Sequence, residues 1–277
     1  MKQFKVGVQL YSVRDQMEKD MAATLKAIKE IGYDYVEFAG YFGKSAEEIR
    51  AMLDEYGLRC ISVHQALDFY EEKGQAAVDF IKTLGAEYSA IPWYQAEKLA
   101  GSPAWEETKA LFIRCGELLK KNGIQMLYHN HDFEFVKVNG KYKHDYLMQE
   151  IPRDLLQPEF DTCWVRYAGE DPCKYLAMYA GYVKVLHLKD FTCKQLAAGP
   201  AYDLIDENGK PMKAPTKEEN DFRFRPVGQG MQDFPSILDA AEKAGTEYII
   251  VEQDSTYETP SLEAVKQSRD YLRTLGQ

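Results

Sequence analysis

Residues 128–135 read YHNHDFEF. Three later stretches, EFDTCWV (159–165), VLHLKD (185–190) and IIVEQD (249–254), likewise set ionisable side chains behind apolar runs. Together, His129, Asp161, His187 and Glu252 offer nitrogen and carboxylate ligands in a mixture that suits a borderline or hard divalent ion: Mn²⁺, Zn²⁺, Co²⁺ or Mg²⁺. No sulfur is required, so Cys163, two residues after Asp161, reads as a packed thiol. A dication beside carboxylates can chelate a carbonyl and an adjacent hydroxyl and steady the enediolate left when the α proton is removed. Moving that proton calls for a carboxylate or an imidazole, and imidazole titrates near neutrality.

Such residues act together only if the chain brings them to one place. Eight short β-rich runs alternate with helical patterns: FKVGVQL (4–10), DYVEF (34–38), RCISVH (59–64), EYSAIP (87–92), IQMLYH (124–129), LQPEFD (156–161), VKVLHLK (183–189) and YIIVE (248–252). Strand and helix in alternation predict parallel strands joined by crossover helices, and eight such units predict an α/β fold closed as a (β/α)8 barrel. Several helices close on glycine, and SAEEIRAMLDEYG opens with Ser45 as N-cap and Glu48 in the capping-box position. In such a barrel, functional groups gather at the C-terminal ends of the strands. Those ends carry Gln9, Glu37, His64, Trp93, His129, Asp161, His187 and Glu252.

Two segments interrupt the rhythm of this single expected domain, residues 1–277. The stretch 133–143 holds an Asn-Gly turn and predicts a hairpin. Residues 190–233 form a long excursion with a second Asn-Gly at 208–209, a length typical of lids or subunit contacts.

A net charge of −10 and a pI near 5.1 argue against a nucleic-acid partner, which needs a basic face. The five cysteines are scattered with no CxxC pair, which points to free thiols in a reducing compartment. With no leader-like start and no apolar run of membrane length, the expectation is a soluble cytoplasmic protein.

In order along the chain, VGVQLYSVRD, YHNHDFEF, EFDTCWV, VLHLKD, RPVGQGMQDF and IIVEQD resemble the xylose isomerase-like barrels, specifically the sugar phosphate isomerase/epimerase group with its inosose dehydratase-like and ketose 3-epimerase-like members. The resemblance covers nearly the whole chain. It implies one divalent metal, Mn²⁺ foremost, held by a carboxylate from strand five, an Asp from strand six, a His from strand seven and a Glu from strand eight that also acts as base. Asp161, His187 and Glu252 match the last three. At strand five the sequence departs: His129 stands where many relatives carry Glu, and Glu134 follows five residues later. Strand alternation favours an inward His129, whereas charge favours Glu134 as ligand. The assignment adopted is Glu134, Asp161, His187 and Glu252 as metal ligands, with His129 beside the substrate and the alternative left open.

On this reading Glu252, with His129 or Glu134 across the sugar, carries the proton transfer. Glu37, His64, Trp93, His131, Lys189 and Arg225 are candidate contacts to a sugar or cyclitol substrate; Glu37 could instead receive Arg14. Trp164 offers a second flat face, and His144 reads as a surface or capping residue. The expected activity is a metal-dependent isomerase or epimerase of a keto sugar or inositol ketone. The alternative is a lyase or dehydratase that expels a β-oxygen from the same enolate, by elimination from a 3-keto glycoside or dehydration of an inosose. An abasic-site endonuclease on this barrel needs more ligands and a basic surface than five histidines and this charge supply. A catalytically silent sugar-binding protein and a homo-oligomer remain open.

Overall fold

The structure, a computed structural model, describes residues 2–197 and 217–277. Its centre is a closed parallel barrel of eight strands: β1 (Lys5–Gln9), β2 (Tyr35–Phe38), β3 (Arg59–His64), β4 (Tyr88–Ile91), β5 (Gln125–His129), β6 (Leu156–Asp161), β7 (Val185–Leu188) and β8 (Tyr248–Val251). Each strand neighbours the next in sequence, and β8 closes on β1. This is the (β/α)8 barrel that the alternation predicts.

The outer ring comprises α1 (Met21–Ile31), α2 (Ala46–Tyr56), α3 (Gln75–Leu84), α4 (Trp105–Lys121), α5 (Lys143–Glu150), α6 (Pro172–Met178), α7 (Phe234–Ala244) and α8 (Ser261–Thr274). Local chemistry sets their ends. Ser45 and Glu48 form a reciprocal capping box on α2, and Asp20 caps α1, which Gly32 ends at φ 100°. Outward strand residues such as Val8, Val36 and Phe38 are fully buried against apolar helix faces that include Ile28 and Ile49. Among the described residues, no helix is long and apolar enough to cross a membrane, and all five cysteines are free thiols.

The barrel's interior is stacked in storeys. Tyr35 and Tyr88 pack edge-on to Tyr248 near the N-terminal end, with ring centroids 5.3 and 6.2 Å away. Ile61, Ala90, Leu127, Val185 and Ile250 then form an apolar plug. Gly7 serves this plug, since a Cβ on it would lie 2.7 Å from Ile250 Cδ1. Above the plug the inward residues become ionisable.

β3 reaches that upper storey through an irregularity. Val36 and Glu37, adjacent on β2, pair with Cys60 and Ser62 of β3, so Ile61 is an extra residue. Such a bulge breaks the alternation of faces. Ile61 can therefore join the plug while His64, three residues on, also turns inward.

After β5 comes a short turn at Phe133–Phe135 and a small antiparallel ribbon, Lys137–Val138 with Lys141–Tyr142. After β7, Asp190–Thr192 pairs antiparallel with Arg223–Arg225. The Asp190 carboxylate accepts backbone N–H groups of Phe191, Gly228, Gly230 and Gln232 at 2.8–3.2 Å and so seats the stretch RPVGQGMQDF. A Cβ on Gly230 would collide with that carboxylate. Residues 198–216, including the Asn-Gly at 208–209, lie outside the described residues.

Candidate metal centre

Strand register decides which polar groups meet. β6 and β7 pair Asp161 with His187, β7 and β8 pair His187 with Ile250, and β5 and β6 pair His129 with Glu159. The stagger brings His129, Asp161, His187 and Glu252 together at the mouth, one ligand atom from each within 4.8 Å of the others. His187 Nδ1 lies 2.8 Å from Glu252 Oε2, while His129 Nε2 lies 3.6 Å from Asp161 Oδ2 and 3.9 Å from Glu252 Oε2. All four side chains are buried.

Asp161 is aimed by the turn that follows it. Its Oδ1 accepts the N–H groups of Cys163 at 2.8 Å and Trp164 at 3.3 Å, capping the short helix Thr162–Tyr167. Its Oδ2 is left facing the cluster. That oxygen is buried and accepts no well-aligned hydrogen bond, although Lys189 Nζ lies 2.8 Å away. A buried carboxylate oxygen left in this way suits a cation ligand. The donor set, two imidazoles and two carboxylates, fits a divalent ion.

Directly beneath, Glu37, His64 and Glu159 form a supporting layer. His187 Nε2 is 2.7 Å from Glu37 Oε2 and 3.4 Å from Glu159 Oε2; His129 Nδ1 is 3.3 Å from Glu159 Oε2. His187 thus offers one ring nitrogen to the mouth and hydrogen-bonds a buried carboxylate through the other, whereas His129 Nδ1 faces Glu159 without a well-aligned hydrogen bond. A hydrogen bond like that of His187 fixes the tautomer and orientation of a metal-binding imidazole. His64 Nε2 bridges Glu159 at 2.9 Å and Glu37 at 3.2 Å, and Gln9 Nε2 donates to Glu37 at 2.9 Å. His64, His129, Glu159 and His187 also lie within 4.8 Å of one another, a second group of metal-ligating type that shares two members with the first.

The electrostatics follow from burial and from these pairs. Burial, reinforced by the neighbouring His187 and His64, drives His129 well below its ordinary range, so its lone pair is available to a metal. Burial pushes Asp161 up to about 6 despite Lys189. For Glu252, burial is outweighed by Lys189 and His187, which hold the carboxyl well below its usual range. Burial and Glu37 raise Glu159 to about 7, whereas His64 is raised to about 10, burial being overcome by Glu37 and Glu159. Lys189 stays charged: burial is outweighed by Asp161, Asp254 and Glu252, whose oxygens lie 2.8, 2.8 and 3.0 Å from its Nζ.

Glu134, taken from sequence as a metal ligand, stands apart from the cluster. Its carboxylate is fully buried but accepts from Tyr128 Oη at 2.6 Å and from the His131 N–H at 2.8 Å, and it belongs to neither group of metal-ligating type. The turn at Phe133–Phe135 folds it back beneath the strand end, where it braces the loop. His129 takes the place in the cluster. His144 is likewise no surface residue: it is fully buried among Phe135, Phe160, Tyr175 and Tyr179.

Of the other candidates, His64, Trp93, His131 and Lys189 line a cavity of about 450 Å³ over the cluster. Arg225 lies in the ribbon opposite Asp190 and does not line it. Glu37 sits in the supporting layer and engages His187, His64 and Gln9, while Arg14 covers the Tyr11 ring. Trp164 is fully buried and stacks on Phe222. Sequence reading passed over Glu159, two residues before Asp161 on the same strand face, and Asp254, two residues after Glu252 in the loop that follows β8. The strand spacing is the signal that could have found Glu159.

Residues 25–275 match the xylose isomerase-like TIM barrel family. A protein named inosose dehydratase from Clostridium perfringens is 25% identical over 247 residues, covering 83% of this chain and 79% of its own length. One of the same name from Clostridium beijerinckii is 28% identical over 265 residues, covering 87% and 85%. A solved sugar phosphate isomerase/epimerase from Parabacteroides distasonis has the same fold, with a TM-score of 0.74 at 23% identity over 99% of this chain and 94% of that one.

Proposed function

The chain belongs to the xylose isomerase-like TIM barrel family, and on that footing we propose that it is a divalent-metal-dependent carbon–oxygen lyase. It removes the proton α to the carbonyl of a keto sugar or inositol ketone and expels the oxygen substituent at the β carbon. The observation that carries this reading is the buried cluster His129, Asp161, His187 and Glu252 at the barrel mouth. The relatives named inosose dehydratase support elimination as its outcome.

A metal ion held by these four residues would polarise the substrate carbonyl and offset the charge of the enolate. Glu252, kept ionised beside Lys189 and His187, accepts the α proton. The C–H electron pair becomes the enolate double bond, whose collapse breaks the β C–O bond and leaves an enone. The departing oxygen takes the proton that Glu252 holds and leaves as water or an alcohol. Lys189, a buried ammonium 3.0 Å from Glu252 Oε2, places fixed positive charge where the substrate oxygen becomes negative. His131, which burial keeps neutral by lowering it to about 3, lines the cavity as a hydrogen-bonding wall.

Isomerisation or epimerisation through the same enolate is the second reading. It needs an acid/base on each face of the sugar. Glu134, the carboxylate that could supply the second face, is held by Tyr128 and His131, which favours elimination. The two outcomes separate in D2O with metal-loaded protein and an inosose. Enone formation supports the lyase, solvent deuterium at the α carbon of an isomeric ketone supports the isomerase, and neither product nor exchange overturns both.

A further inference from the structure

The enolate chemistry uses only the floor of the cavity. A ring of six carbons with its hydroxyls fills roughly 200 Å³ at interior packing density, less than half of the 450 Å³ available. The lining away from the cluster sets Tyr11, Trp93 and Phe224 among Arg14, Lys217 and Ser255. Trp93, just after β4, is 55% exposed although it lines the cavity, while the other two tryptophans, Trp105 and Trp164, are 7% and 0% exposed. Among the described residues no ring packs against Trp93. Tyr11, 40% exposed, lines the β1 side with the Arg14 guanidinium 4.0 Å over its ring. Phe224, reached by the Lys217 side chain, lines the β7 side. Leaving an indole face in water forgoes hydrophobic stabilisation. A ring stacked on that face would recover it.

We propose that this outer space is a second subsite, built on Trp93 and Tyr11, for a ring carried on the β-oxygen. The substrate is then a keto glycoside, and the leaving group is a ring alcohol instead of water. This inference rests on the elimination reading: the C–O bond that breaks joins the keto ring to the second ring, the enone stays in the inner site, and the ring leaves with the proton from Glu252.

The test uses metal-loaded full-length protein and glycosides that lack the keto group, so that binding is read without turnover. Affinities for methyl, phenyl and glucosyl β-glucosides are compared by calorimetry, together with quenching of tryptophan fluorescence. The ring-bearing ligands are expected to bind roughly tenfold more tightly than the methyl glucoside and to quench emission. That advantage should vanish in Trp93→Ala, shrink in Tyr11→Ala and return in Trp93→Phe. A gain with phenyl alone identifies an aromatic ring, and a gain with both identifies any flat ring. Equal affinity for all three ligands, no binding of any of them, or an advantage that survives Trp93→Ala overturns the subsite. If enone still forms from an inosose in that case, the lyase reading stands; if the rings bind but no ketone is ever cleaved, the lyase reading falls by itself.

Discussion

Leu127, Val185 and Ile250 face the same barrel axis as His129, His187 and Glu252, each two residues further along the chain, Glu252 just past the end of β8. Backbone geometry sends both sets inward, so residue type alone separates the storey that packs from the storey that reacts. The lower set is a dry plug of apolar side chains. The upper set is equally buried, but its polar atoms are aimed at one point and matched beneath by Glu37, His64 and Glu159. A low-dielectric floor under a charged layer strengthens every interaction in that layer, which makes the plug a functional component as well as a stabilising one.

Breaking the upper storey should have the largest effect. Asp161→Ala removes a proposed ligand and leaves Lys189 without one of its three carboxylates; turnover should fall by about 10³-fold or more, and bound metal should drop from about one per chain to a trace, read by elemental analysis. Breaking the plug should act differently. Leu127→Ala should cost roughly 2–5 kcal/mol of stability through the cavity it leaves, measured by urea unfolding, while the folded fraction keeps its metal. A metal loss in that variant as large as in Asp161→Ala would erase the distinction between the storeys.

The layer between them sharpens the comparison. Glu159→Gln keeps the shape but weakens the acceptor facing the histidines, and it should loosen metal binding about 10–100-fold with little change in unfolding. An unchanged affinity would reduce Glu159 to packing.

The smallest effect belongs to Glu134. Glu134→Gln can still accept from the His131 N–H and donate to the Tyr128 oxygen, so at the acid end of the range, where Glu134 is protonated in both states, it should retain metal and shift stability by less than about 1 kcal/mol. Its sign depends on pH. Burial raises Glu134 from its ordinary 4.5 to about 8 in the folded protein. Between those values the folded state holds a proton that the unfolded state has lost, so the wild type loses stability as pH rises through the window. The Gln variant should lose less. Parallel losses in both proteins would mean that Glu134 is not the buried acid described.

Much of this was legible in the sequence, for particular reasons. A strand buried on both faces reads as an apolar run, and an ionisable residue at its end stands out, which is how Asp161, His187 and Glu252 became visible. Glu159 was hidden because it lies inside its strand and not at the end. His64 could be placed at a strand end, but the extra residue in β3 that lets both it and Ile61 face inward is a pairing irregularity that no single strand's pattern reveals. The position of Glu134 could not be read, because charge counting favours a third carboxylate at the metal, whereas the turn at Phe133–Phe135 and the Tyr128 hydroxyl decide where its side chain goes. The walls of the cavity come largely from loops, after β1, β2, β4, β5, β7 and β8, where no periodicity exists to read.

The central claim is that strand five contributes His129, and not Glu134, to a single metal centre. Anomalous diffraction from a crystal grown with Mn²⁺ or Zn²⁺ tests it directly. The expected result is a peak bonded to His129 Nε2, Asp161, His187 Nδ1 and Glu252, with the Glu134 carboxylate still on Tyr128 and the His131 N–H. A peak ligated by Glu134, or no peak among these residues at saturating metal, would contradict the account.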